Sequence, residues 1–227
     1  MFTTDEIFNM SNDIFKSLCS KYNINKCYFR LCDWNEYLQL AYEEFSDFKR
    51  CKSKHQLIDL IDSLSYSYQE SFMLTHWNIV NNKEVVHYII FPIENIYKLY
   101  YELLVERNDS PYNITINDED IINIITVVMT HEIGHVLHDN QIFKKYGLEE
   151  GKHIMCDSKY KDEFYKYLDY MLWAQEHSKN QIDYIKKTCK KYYAMYFEKS
   201  ANKMVNLKVN DIIDVEIKRK LGKYVYK

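Results

Sequence analysis

From Tyr112 to Lys227 no proline interrupts this chain, and its 227 residues hold only 4 Gly and 2 Pro, at positions 92 and 111. A turn-rich all-β fold needs such breakers at every hairpin, so their scarcity points to a mainly helical chain. The hydrophobic set makes up 47% and charged residues 28%, a globular balance that argues against wholesale disorder. A net charge of −3 leaves no basic excess for a phosphate backbone, so no nucleic-acid partner is expected. The N-terminus, Met1-Phe2-Thr3-Thr4-Asp5-Glu6, lacks the basic and apolar regions of a signal peptide. The longest nearly apolar run, Ile121 to Met129, falls short of the roughly 20 residues a membrane span needs. A cytoplasmic chain with no membrane partner is therefore expected. Its six cysteines, at 19, 27, 32, 51, 156 and 189, form no C-x-x-C pair and read as reduced thiols.

Apolar residues recur at helical spacing over Asp5–Leu18, Trp34–Phe45 and Leu57–Tyr68, so the first seventy residues read as about three amphipathic helices. Glu84–Phe91 is β-branched and aromatic and runs into Pro92, which predicts a strand. Trp77–Val80 is its candidate hairpin partner across an Asn-Asn-Lys turn. Ile93–Glu106 returns to helical spacing, and a loop holding Pro111 follows. Asn117 or Asp118 suits an N-cap, with Glu119 and Asp120 in the first turn. The helix it opens is apolar on most sides and is predicted to run to about Lys145, with Gly147 at its end and a buried, central position. Further helices are expected over 159–176 and 180–207, and the tail 209–227 reads as a short helix or strand.

Within the buried helix stands His131-Glu132-Ile133-Gly134-His135, an H-E-x-x-H pattern. Residues four apart share a helical face, so two imidazoles can converge on one ion. Glu132 follows the first ligand and stands where a general base can take a proton from water activated by zinc. Chance alone yields the five-residue pattern in about one such sequence in fifty. Two histidines and a glutamate on a buried face are costly unless something satisfies them, and a metal does so. A catalytic zinc has three protein ligands plus water. The H-E-x-x-H-x-x-G-x-x-H class is excluded, because His138 and Gln141 stand where its glycine and third histidine belong. The remaining common option is a glutamate on a downstream helix. Glu198-Lys199-Ser200-Ala201-Asn202 fits: Glu198 and Asn202 share a face, Asn202 suits the other ring N–H of a ligand histidine, and Ala201 allows close helix approach. His153, Glu176 and His177 are the rival third ligands. His138 either lines the cleft or packs at the helix end.

H-E-x-G-H followed some sixty residues later by E-x-x-A-N resembles the gluzincins, and within them the ImmA/IrrE family of zinc metallopeptidases. Matched residue by residue, the resemblance implies His131, His135 and Glu198 as ligands of Zn2+ and Glu132 as the catalytic base. Asp139 stands where the family often has a further histidine, and Ser200 where it has a second acid. The resemblance covers two short motifs within 118–207. It implies a zincin-like α+β fold: a central H-E-x-x-H helix, a small β-sheet or hairpin and surrounding helices. On that reading residues 1–75 form an N-terminal helical region packed on a metallopeptidase region, 76–227, in one compact domain overall.

The expected reaction is zinc-dependent hydrolysis of a peptide bond in a protein or peptide substrate, which the resemblance suggests is a specific regulatory protein. An oxyanion donor is expected from a Tyr or His that the sequence does not single out; His177, Tyr192 and Tyr193 precede or flank the third-ligand helix. Strand 84–91 is the expected cleft edge for an extended substrate, and the loop-like 148–160 segment the expected cover. The alternative is a zinc-bound, weakly or non-catalytic binding module of a mobile element or phage, or an effector protease of one.

Overall fold

A computed structural model describes residues 2–44, 52–80, 83–99, 112–155 and 158–224. The chain is mainly helical with a small mixed sheet. Helix α1 (Thr4–Lys21) opens on a reciprocal cap. Glu6 N–H donates to Thr3 Oγ1 at 3.2 Å and Thr3 N–H donates to Glu6 Oε2 at 2.7 Å, so two N-terminal amides find partners. Ile7, Phe15 and Leu18 form its buried side. A turn with Asn23 and Lys26 at positive φ leads into β1 (Cys27–Cys32). Then follow α2 (Trp34–Glu44), α3 (Lys54–Glu70), β2 (Leu74–Val80), β3 (Glu84–Pro92) and α4 (Ile93–Lys98).

The three strands form one sheet in the order β1-β3-β2, with β1 parallel and β2 antiparallel to β3. Strand periodicity of two sorts their side chains. Val86, Tyr88 and Ile90 join Leu74 and Cys32 in a core with Tyr37, Leu64 and Tyr68 of α2 and α3. Ile89 and Phe91 enter the opposite core with α1 and the central helix. β3 is thus apolar on both faces, the mark of an inner strand. This corrects the expectation that 84–91 is the cleft edge. Both sides of β3 are paired, and among the described residues β1 and β2 are the edges.

After β4 (Thr115–Ile116) comes α5 (Asp118–Met155). Asn117 and Asp120 cap it reciprocally, at 3.1 and 2.9 Å. Gly147, at φ 79° and ψ 176°, bends it, so the first helical stretch ends where the glycine predicts. The segment beyond is not a loop over the site. Leu148–Met155 is helical, and Gly151 lies so close to Phe143 that an added Cβ would stand 2.7 Å from its ring. By length and composition α5 is apolar enough to cross a membrane, but 67% of its most apolar window is buried by the chain's own fold. It lies against α1, β2 and β3; among the described residues four helices follow it, the last two of which pack on it.

Those are α6 (Ser158–His177), α7 (Gln181–Tyr192), α8 (Tyr196–Val205) and α9 (Val209–Leu221), before the short β5 (Lys223–Tyr224), which pairs with β4. The expected single helix over 180–207 is two. Met195 N–H donates to the Tyr192 carbonyl at 3.0 Å and α8 restarts at Tyr196. Asn206, in the left-handed region at φ 56°, ends α8. α8 packs along α5 more extensively than any other helix does. Cys19, Cys27, Cys32 and Cys189 are free thiols; Cys51 and Cys156 lie outside the described residues, as do Asn81-Asn82 of the expected turn and the 100–106 part of the expected helix.

Candidate metal centre

The site forms where α5 meets α8. Gly134 permits the approach: a Cβ there would fall 2.3 Å from the Ala201 carbonyl oxygen, far inside van der Waals contact. With a glycine on one helix and an alanine on the other, His131 and His135 on α5 face Glu198 and Asn202 on α8. Glu198 is 3% exposed and Asn202 4%.

One ligand atom from each of His131, His135 and Glu198 lies within 4.8 Å of the other two, a group able to hold a metal ion. Its edges are short: His131 Nε2 to Glu198 Oε2 3.0 Å, His135 Nε2 to Glu198 Oε2 3.3 Å, and His131 Nε2 to His135 Nε2 3.2 Å. Donors at about 2.0–2.1 Å around a tetrahedral ion stand about 3.3 Å apart, so the triangle has the dimensions of one face of that tetrahedron. The tautomer sharpens the case. His131 Nδ1 lies 2.8 Å from Asn202 Oδ1. Because an amide oxygen only accepts, Nδ1 carries the proton. In a neutral His131, Nε2 then presents a lone pair to the Glu198 oxygen and to His135. Lone pairs that converge in a buried place require a cation between them, a proton or a metal.

The electrostatics agree. Burial alone would raise the Glu198 carboxyl, but the facing His135 and His131 hold it well below the usual carboxylate range. Burial alone would lower His135, but Glu198 beside it lifts the imidazole to about 9. In the metal-free chain a proton on His135 and a charge on Glu198 therefore hold the cluster together.

Glu132 lies beside this group, buried, and does not belong to it. Burial raises its carboxyl above the usual range. Thr75 Oγ1, on β2, stands 2.7 Å from its Oε2. Of the three candidate oxyanion donors, Tyr193 is at the cluster, its ring edge-on to His131 with centroids 5.2 Å apart. Burial, with Glu216, Glu198 and other anionic groups nearby, raises its hydroxyl well above the ordinary tyrosine value, so it stays a neutral O–H. Tyr192 stacks edge-on against Tyr167, and exposed His177 lies flat on Trp173. The rival ligands His153, Glu176 and His177 are all exposed and outside the metal-capable group.

His138 points elsewhere. It packs edge-on against Tyr196 and Phe197, and burial lowers its imidazole. Its Nδ1 stands 3.8 Å from Asp139 Oδ1, while His87 Nε2 on β3 stands 3.6 Å from Asp139 Oδ2. This second buried polar group lies between α5 and the sheet, and among the described residues His87 Nε2, His138 Nδ1 and Asp139 Oδ1 make no hydrogen bond. Of its members the sequence singled out only His138 as a candidate; no spacing signal joins His87 or Asp139 to it, because their approach depends on how β3 packs on α5. Thr75 was also missed: the hairpin partner was expected to begin at Trp77, whereas β2 begins at Leu74 and pairs Thr75 with Ile89. Compared with models of protein families, with curated proteins and with solved structures, the chain matches none.

Proposed function

We propose that this chain is a zinc-dependent metallopeptidase with a zincin-like arrangement, in line with its resemblance to the ImmA/IrrE gluzincins, and that it hydrolyses a peptide bond in a protein or peptide substrate in the cytoplasm. The observation that carries the reading is the His131–His135–Glu198 triangle with its 3.0–3.3 Å edges and a buried carboxylate, Glu132, beside it. Two nitrogens and one carboxylate oxygen form the donor set of a catalytic zinc with a position left for water. When bound, zinc would polarise the scissile carbonyl and acidify water.

The chain's own residues supply the remaining steps. Asn202 fixes the ring of His131 and its tautomer. Glu132 accepts a proton from the attacking water and returns it to the leaving amine, a task suited to a carboxyl whose affinity for protons burial has raised. Tyr193, kept as a neutral donor, is the best placed of the three candidates to stabilise the oxyanion. The substrate strand is assigned to the outer edge of β2, because β3 has no free side and β2 carries Thr75 to the general base.

Glu132→Gln separates an enzyme from a binding module. In the zinc-loaded protein it should lower peptide hydrolysis by about 10²–10⁴-fold and leave the zinc content at the wild-type value. Hydrolysis of a peptide library at an unchanged rate would overturn the assignment of the base. A partner captured equally well by both forms, with no cleavage by either, would favour the binding module.

A further inference from the structure

The base of a metallopeptidase must be held at a fixed angle, and a glutamate has three side-chain torsions to fix. Neighbouring ligands cannot do this, since they are turned toward the ion. In this chain the contact comes from the sheet. Thr75 Oγ1 stands 2.7 Å from Glu132 Oε2 and 3.2 Å from the Glu132 backbone oxygen. A hydroxyl has one proton, and the ionised carboxylate is the stronger acceptor at the shorter distance, so the proton goes to Oε2. That engages one carboxylate oxygen and leaves Oε1 for the water.

The hydroxyl is itself held. Backbone pairing sets Thr75 opposite Ile89, and Ile89 is fully buried. Two residues on, Trp77 presents the same face of β2 to α5 and rests edge-on against Phe143, centroids 5.1 Å apart. On the opposite face His76 meets Tyr37 through a hydrogen bond and a ring contact at 5.2 Å. Contacts on both faces fix the strand at this point, and a threonine is stiff at χ1. Thr75 thus brings a rigid donor to a flexible acceptor, the arrangement by which supporting groups give a site its precision. It also occupies a strand whose other side is unpaired among the described residues. A peptide laid along that side would therefore fix the same backbone that carries the hydroxyl.

We infer that Thr75 is a positioning residue for the general base: its hydroxyl orients the Glu132 carboxylate and ties it to the substrate-binding strand. The inference rests on the peptidase reading above. Acetohydroxamate tests it, because this small chelator needs both the zinc and a well-placed base to take up its proton. Calorimetric titration of the zinc-loaded chain should show binding about tenfold weaker in Thr75→Val and within about twofold of wild type in Thr75→Ser. Zinc content should be the same in all three proteins, and Thr75→Val should stay folded with at most a modest fall in Tm, since valine keeps the shape and the β-branch and loses only the hydroxyl. Equal affinity in Thr75→Val, or failure of Thr75→Ser to restore binding, would overturn the inference. Glu132→Gln separates the two levels. If it weakens acetohydroxamate while Thr75→Val does not, the positioning role alone falls. If neither variant changes binding, or the wild type binds none, the peptidase reading falls with it.

Discussion

Two imidazole nitrogens and a carboxylate oxygen meeting within 3.0–3.3 Å need positive charge between them, and in the metal-free chain His135 supplies it by holding a proton. Its folded value is raised, to about 9 from 6.5. Its share of metal-free stability is therefore fully present below about pH 6.5 and is lost as the pH rises through about 9. Glu198 behaves oppositely. Its folded value is depressed below 4.5, so its share is present above that pH and is lost as the pH falls toward the folded value. A metal must displace the proton on His135. Zinc uptake at pH 7 should release about one proton per site, and affinity should rise about tenfold per pH unit between 6.5 and 9. Calorimetry in buffers of different ionisation enthalpy counts that proton. Uptake with no proton released would mean that His135 is already neutral and that its pairing with Glu198 is weaker than the geometry indicates.

At the scale of elements, the site depends on how closely α5 and α8 approach. Gly134→Ala would place a methyl carbon 2.3 Å from the Ala201 carbonyl oxygen. The backbone cannot give way as a flexible side chain can, so the helices must separate. The expected cost is about 1–3 kcal/mol, read as a lower urea midpoint at unchanged slope, together with weaker zinc binding. A Gly134→Ala protein with wild-type stability and zinc affinity would show that the packing leaves slack. The parts of this arrangement visible in the sequence are those with periodic or spaced signals. α5 shows its apolar period and its Asn117 cap, the four-residue spacing places His131 with His135, and the same spacing places Glu198 with Asn202. The hidden parts rest on tertiary choice. No glycine or proline marks the break at Tyr193–Met195 between α7 and α8, yet that break carries Tyr193 to the edge of His131. β1 has a two-residue alternation and carries Tyr28 and Phe29, but Cys27, Arg30 and Cys32 are weak strand markers, and only pairing with β3 establishes it. β3 itself was legible as a strand, whereas its place inside the sheet depended on β1.

For the whole molecule, the N-terminal third is built into the scaffold of the site. β1 pairs with β3, α1 packs on α5, and β2 brings Thr75 to Glu132. The C-terminal helices contribute from the other side, with Glu198 and Asn202 on α8 supported by Val205, Ile212 and Val215 in the same core. A metal at the centre would join α5 to α8 and add its binding energy to the stability of the fold. The most direct test is zinc per chain by elemental mass spectrometry on the purified full-length protein, measured with Glu198→Ala and Glu176→Ala. About one zinc per chain is predicted for the wild type and Glu176→Ala, with a marked loss in Glu198→Ala. No zinc after reconstitution, or zinc held equally tightly by Glu198→Ala, would contradict the His131–His135–Glu198 site.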